Sequence, residues 1–106
     1  MVEDRRRAQR IPHPCEVRCT LLDGLAIAST RLSDLSTGGV FVESVNELPV
    51  GTLLRLEFLV GDHLVKVGGQ IVQSMPQFGF GVRFTDLTPE YEAAITALVS
   101  QEADAP

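Results

Sequence analysis

From Pro14 onward the chain alternates apolar and polar residues with a period of two, a pattern that helices do not produce. Leu54, Leu56, Phe58 and Val60 alternate with Leu53, Arg55, Glu57 and Leu59. Val65, Val67, Gly69 and Ile71 form a second set, and Phe78, Phe80, Val82 and Phe84 alternate with Gly79, Gly81 and Arg83 as a third. Side chains two apart share one face of a strand, so each set predicts an apolar face turned to a core. The runs are interrupted at Asp23-Gly24, Gly38-Gly39, Pro49-Val50-Gly51, Gly61-Asp62 and Met75-Pro76-Gln77, all of them turn chemistry. Strands are therefore predicted at residues 15–22, 25–35, 39–45, 53–60, 63–75 and 78–85. In the fifth, Gly68-Gly69 predicts a bulge or a bend. The face carrying Gly79 and Gly81 is expected to lie against backbone or a ring, because glycine otherwise only weakens a strand.

One helix is signalled near the end. Thr88 is a capping residue, Pro89 suits the first helical position, and Glu90 and Glu92 favour the positive end of the helix dipole. Tyr91, Ala94, Ile95, Leu98 and Val99 then form an apolar stripe at helical spacing, read as core or partner contact. Beyond Ser100 the residues are small and polar, so 101–106 are predicted to fray. The chain has no internal repeat and no dividing linker. It reads as an all-β domain over residues 14–100, a small barrel or sandwich closed by a C-terminal α-helix, with a flexible arginine-rich arm over 1–13.

At 106 residues the chain is long enough for one core that needs no staples. No apolar run reaches bilayer length and the first ten residues are charged, which predicts a cytoplasmic protein without membrane insertion. Cys15, Cys19, His13 and His63 match no metal-ligand spacing, so no metal or cofactor is expected, and the two cysteines read as small apolar residues on one strand face. The net charge of −5 conceals an asymmetry. Four arginines against Glu3 and Asp4 give the first ten residues about +2, whereas the rest of the chain carries about −7. A protein that coats DNA or RNA shows a broad basic face instead. A basic arm on an acidic body fits a small anion gripped at one place.

Two short stretches carry that chemistry. In Arg5-Arg6-Arg7-Ala8-Gln9-Arg10, Arg6 and Arg10 stand four apart, as R-x-x-x-R. Planar guanidinium forks bond phosphate in pairs and stack on purines, so two of them converging suit a nucleotide. In Asp34-Leu35-Ser36-Thr37-Gly38-Gly39, a carboxylate, a hydroxyl and a glycine turn lie between apolar runs. A carboxylate there accepts from guanine N–H groups. Each stretch also has a local reading: a solvated basic arm for the first, and for the second a hairpin turn in which Gly38-Gly39 supplies positive φ.

Both stretches, in this order at the start of a β pattern, resemble the PilZ domain family. The phrase Leu32-Ser33-Asp34-Leu35-Ser36-Thr37-Gly38-Gly39-Val40-Phe41-Val42 is close to that family's pattern, and so is Gly79-Phe80-Gly81-Val82-Arg83-Phe84 before the helix. The resemblance covers about residues 4 to 100. It implies a six-stranded antiparallel β-barrel with a C-terminal α-helix, and binding of the second messenger cyclic di-GMP. Carried across by position, Arg6 and Arg10 would hold phosphates and guanine edges. Asp34 would accept from guanine, Ser36 would donate to a phosphate or base, and Gly38-Gly39 would shape the turn, Gly39 keeping it clear of the ligand. Arg5, next to the first motif arginine, would favour capture of two ligand molecules per chain.

No catalytic constellation is legible: the histidines have no nucleophile partner in sequence, and Asp34 with Ser36 has no base beside it. The leading expectation is a non-enzymatic receptor in which ligand orders the arm and alters contact with a protein effector. The alternative is an adaptor of the same fold that binds no nucleotide. A third reading, an OB-like binder of RNA or single-stranded DNA, requires exposed aromatics on a basic groove, whereas the phenylalanines here read as core.

Overall fold

A computed structural model describes residues 10–27 and 30–103. Eight strands form one antiparallel sheet: β1 (Ile11–Glu16), β2 (Arg18–Leu21), β3 (Ala26–Ile27), β4 (Arg31–Leu35), β5 (Gly39–Glu43), β6 (Leu53–Val60), β7 (His63–Met75) and β8 (Gly79–Phe84). Helix α1 spans Pro89–Ala103. The sheet order is β1-β4-β5-β8-β7-β6-β2-β3, with β1 and β3 left as edges.

This is a half-barrel of eight strands, not the closed six-stranded barrel expected, because two predicted runs each divide in two. The first begins at Ile11 rather than at residue 15, so residues 11–13, assigned above to the arm, are strand. It breaks at Val17, whose carbonyl accepts the Thr30 hydroxyl at 2.7 Å where a ladder partner would otherwise stand. β1 then pairs with β4 at one end of the sheet, and β2 with β6 and β3 at the other. Pro12 and Pro14 have no N–H to give, which suits β1 to an edge. Across the open seam a side chain does the bridging: His13 Nε2 donates to the Leu59 carbonyl at 2.9 Å. The second run, predicted as 25–35, divides into β3 and β4.

Inward-facing residues follow the period-two reading closely. Leu54, Leu56, Phe58 and Val60 from β6, Val65, Val67 and Ile71 from β7, and Phe80, Val82 and Phe84 from β8 are all buried. The Phe58 and Phe84 rings stack with centroids 6.3 Å apart. Cys19 is fully buried in the same core and Cys15 packs against its margin. Burial pushes the Cys19 thiol up to about 11.

The helix is capped as predicted, with the Tyr91 N–H donating to Thr88 Oγ1 at 3.2 Å. Its stripe packs on the sheet: Ile95 is fully buried, and Tyr91, Ala94, Leu98 and Val99 surround it. The helical segment continues to Ala103, three residues into the stretch expected to fray. Residues 104–106 lie outside the described residues. Among the described residues, no helix is long and apolar enough to cross a membrane.

The glycine pairs behave differently from one another. The irregularity in the β7–β8 pairing lies between Ile71 and Gln73, not at Gly68-Gly69. Those glycines serve close approach instead: a Cβ on Gly69 would stand 2.3 Å from a Val82 methyl, and the Gly68 N–H donates to Asp86 Oδ1 at 2.6 Å. The expectation made for Gly79 and Gly81 holds at Gly79, where a Cβ would meet the Val42 carbonyl oxygen at 2.0 Å and the Phe41 ring at 3.0 Å, and fails at Gly81, where it would make only ordinary contact with the Gln73 side chain at 3.5 Å.

Candidate functional site

The β1–β4–β5 end of the sheet gathers the described motif residues. In strict alternation, Ser33 and Asp34 on β4 would face opposite ways. They do not, because both neighbouring ladders shift register here. Opposite β5, Leu32 pairs with Val42 and Asp34 with Phe41, and opposite β1, Leu32 pairs with Cys15 and Asp34 with Pro12. Opposite β5, Ser33 is the extra residue of a bulge, whereas opposite β1 the extra residue lies on β1, where His13 and Pro14 together face Ser33. Leu32 and Leu35 turn into the core while Ser33 and Asp34 both remain only partly covered. Bulges commonly re-aim side chains beside functional sites, and this one brings Ser33 into the site.

Arg10 enters from the start of β1 and donates from Nη1 to Asp34 Oδ1 at 2.6 Å. The pair is solvent-accessible, with Arg10 49 % and Asp34 36 % exposed. Its contribution to folding is therefore small, about 0–1 kcal/mol, and its groups are free to be re-partnered. The contact uses one guanidinium nitrogen and one carboxylate oxygen, which leaves most of the arginine fork and one acceptor oxygen for something else. Arg10, Ile11, Pro12, Ser33 and Asp34 line a shallow groove of about 340 Å³.

The turn after β4 is built differently. The Ser36 side chain is buried, 2 % exposed. Its hydroxyl oxygen accepts from the N–H groups of Gly38 and Gly39 at 3.1 and 3.2 Å and lies 3.4 Å from the Gly39 carbonyl. The Ser36 N–H also donates to that carbonyl at 2.9 Å. The hydroxyl expected to donate to a ligand is thus occupied inside the turn. Neither Gly38 nor Gly39 has positive φ, contrary to the turn reading. A Cβ on Gly39 would stand 2.0 Å from the Val82 carbonyl oxygen, so the collision its glycine avoids is with the β8 backbone. At Gly38 a Cβ would make only ordinary contact with Ser36 Oγ, while its carbonyl accepts the Phe84 N–H at 2.9 Å and ties the turn to β8.

The structure therefore brings Arg10 and Asp34 together at an accessible rim, adds Ser33, and places Ser36, Gly38 and Gly39 in the scaffold beneath. Arg5 and Arg6 lie outside the described residues. Ser33 carried a legible signal: Leu32 and Leu35 are apolar and three apart within a strand, one residue too many for alternation. The phenylalanine reading needs correction as well. Phe58, Phe80 and Phe84 are core, but Phe78 precedes β8 and is 69 % exposed, and Phe41 is only partly buried.

The profile of the PilZ domain family matches residues 4–101, nearly the whole chain. The chain belongs to the PilZ domain family. Comparison with solved structures agrees. The PilZ domain of CeSA from a cellulose-synthesizing bacterium superposes with a TM-score of 0.67 at 20% identity, covering 91% of this chain and 99% of that one. YcgR from Escherichia coli, solved in complex with c-di-GMP, gives 0.72 at 25% identity over 93% of this chain. This PilZ domain spans 46% of the YcgR chain, a little under half its length. An uncharacterized Legionella protein shares the fold at a TM-score of 0.53 and 13% identity, covering 91% of this chain and 95% of that protein. A comparison with curated proteins gives no match.

Proposed function

We propose that this PilZ domain is a non-enzymatic receptor for c-di-GMP whose described contact residues are Arg10, Asp34 and Ser33. The observation that carries this reading is the Arg10–Asp34 pair, accessible and joined by a single contact at the edge of a groove. Family membership and the likeness to a c-di-GMP-bound YcgR support the choice of ligand. In this reading the free oxygen of Asp34 accepts from a guanine N–H edge. Arg10 turns its remaining donors to a phosphate, and Ser33 adds a hydroxyl beside them. A groove of about 340 Å³ lies at the small end of ligand sites, so it grips part of a dinucleotide and the arm supplies the rest. Arg6, four residues before Arg10, closes over the other face, and Arg5 adds the cation that a second ligand molecule requires.

Closure of the arm creates a new surface of peptide and nucleotide, which is how the ligand would alter contact with a protein effector. Tryptic cleavage near Arg7 should then slow when ligand is present.

Calorimetric titration with c-di-GMP, with GTP and cyclic GMP as controls, tests the reading. Selective binding is expected, with two ligands per chain if Arg5 acts as described. Arg10→Ala should weaken binding at least tenfold, on the order of one lost charge-assisted hydrogen-bond pair, while the sheet stays folded. Absence of c-di-GMP binding overturns the proposal, and one ligand per chain overturns the part assigned to Arg5.

A further inference from the structure

Next to the Arg10–Asp34 groove, further along β4 and β5, lies a second groove of about 440 Å³, lined in part by Arg31, Phe41, Glu43 and Phe78. The two grooves share one face of the sheet. On β5, Val40 and Val42 turn into the core, so Phe41 and Glu43 turn outward. Phe41 is the register partner of Asp34, and Glu43 is the partner of Arg31. Opposed side chains in such a pair stand about 5 Å apart at Cβ, and the diagonal from Asp34 to Glu43 is about 7–8 Å. Two rings line the second groove. Phe41 lies over Gly79, where a Cβ would come within 3.0 Å of its Cε2. Phe78 is exposed yet pinned: its N–H donates to the Met75 carbonyl at 2.9 Å, and its own carbonyl accepts the Ser44 N–H at 3.2 Å. The turn that presents it holds Gln77 at φ 71°, a left-handed conformation that side chains other than glycine rarely adopt. The backbone therefore maintains a strained turn that offers a large ring to solvent, as strained turns at binding sites do. Among the described residues neither Phe41 nor Phe78 stacks on another ring.

The charges beside the rings narrow the choice of occupant. Arg31 and Glu43 are both exposed. Among the described residues neither the guanidinium nor the carboxylate has an ion pair. A cation and an anion side by side, next to aromatic rings, are complementary to a guanine base. Its O6 and N7 accept from an arginine fork, its N1–H and N2–H donate to a carboxylate, and its faces stack on rings. Adenine reverses both contacts, with an amino donor where guanine carries O6 and an acceptor where guanine carries N1–H. The first groove already joins an arginine to a carboxylate, Arg10 to Asp34. A second arginine–carboxylate set thus stands on the same face, and a dinucleotide with two guanines has one base for each. At about 340 Å³ the first groove holds only part of such a ligand.

We propose that this groove is a guanine subsite. Phe41 and Phe78 supply its stacking surface, Glu43 accepts from N1–H and N2–H, and Arg31 donates to O6 and N7. It takes the second base of the c-di-GMP molecule whose first base is held at Asp34, and so selects for guanine at both ends of the ligand. The subsite rests on the receptor function proposed above and adds residues that neither motif contains.

Calorimetric titration of the full chain with c-di-GMP, and with the mixed cyclic dinucleotide that carries one guanine and one adenine, tests it. The wild-type chain should prefer c-di-GMP by roughly tenfold, the discrimination that one paired base-edge contact supplies. Glu43→Ala should lower c-di-GMP affinity to near that of the mixed ligand, and should change the mixed ligand's own affinity less than about twofold, since adenine gains nothing from the carboxylate. Arg31→Ala should act in the same direction. The chain contains no tryptophan, so Phe78→Trp supplies a reporter whose emission should be quenched by c-di-GMP with the calorimetric midpoint. Circular dichroism confirms that each variant is folded. Equal binding of the two ligands by the wild-type chain overturns the subsite and leaves the receptor function standing. So does full c-di-GMP affinity in Glu43→Ala, or Phe78→Trp emission unmoved at saturating c-di-GMP. A chain that binds no c-di-GMP overturns the receptor function and the subsite with it.

Discussion

The hairpin turns that lead into β5 and β8 make opposite use of the side chains they carry. The turn from Ser36 to Gly39 spends its polar groups on itself, burying a hydroxyl against two backbone N–H groups and pressing glycine onto the Val82 carbonyl. The turn from Met75 to Phe78 keeps a strained Gln77 and leaves its aromatic residue in solvent. The first contains most of a recognisable motif yet has little left to offer a ligand. The second contains no motif and has an uncommitted apolar surface. Belonging to a motif and being accessible to a ligand are therefore separate properties: Ser36 and Gly39 hold the platform on which the accessible Arg10, Ser33 and Asp34 stand.

The sharpest way to break this comparison is Gly39→Ala. A methyl group 2.0 Å from a backbone oxygen of the neighbouring strand cannot be relieved by a side-chain rotation, so β5 and β8 must separate. A loss of about 3 kcal/mol is expected in denaturant unfolding, at the upper end of overpacking effects. Unchanged stability would return Gly39 to the ligand. Ser36→Ala comes next, at about 2 kcal/mol, because it leaves two turn N–H groups without their acceptor. Its effect should appear in stability, and an Asn or Thr replacement that restores the acceptor should recover part of it.

The other turn is expected to respond with the opposite sign. Gln77→Gly removes the left-handed strain and should stabilise by about 1 kcal/mol, raising the unfolding midpoint. A loss of stability would mean the Gln77 side chain contributes more than its backbone costs. The smallest change in stability is expected from Arg10→Ala, within about 0.5 kcal/mol, since it removes only an exposed ion pair. Combined with a large loss of c-di-GMP affinity, that result separates rim from platform. A destabilisation as large as that of Ser36→Ala would place Arg10 in the scaffold instead.

Much of this was legible from residue order. The alternation through β6, β7 and β8 identified the core side chains Leu54, Leu56, Phe58, Val65, Val67, Phe80 and Val82, because burial of one sheet face requires that period. The helix start at Thr88 and Pro89 was legible because a cap is satisfied by its own next turn. That Arg10 and Asp34 share a site was implied by the resemblance to PilZ domains; their direct contact across 24 residues was not expected and came from the fold. The bulge at Ser33 could have been read from the spacing of Leu32 and Leu35, and Phe78 could not, since nothing local distinguishes it from an inward position.

What the sequence determined by itself rests on local chemistry and face selection: the hairpin turns, the apolar faces of β6 and β7, the start of the helix, and that an arginine-rich segment precedes an acidic body. The tertiary structure alone decided which strand lies beside which. It split the first run between the two ends of the sheet, set Gly39 against Val82, and gave Ser36 to its own turn. The reason is that ladder hydrogen bonds join backbone groups common to nearly all residues. Pairing is settled only by how the faces pack together, after every strand has already chosen its side.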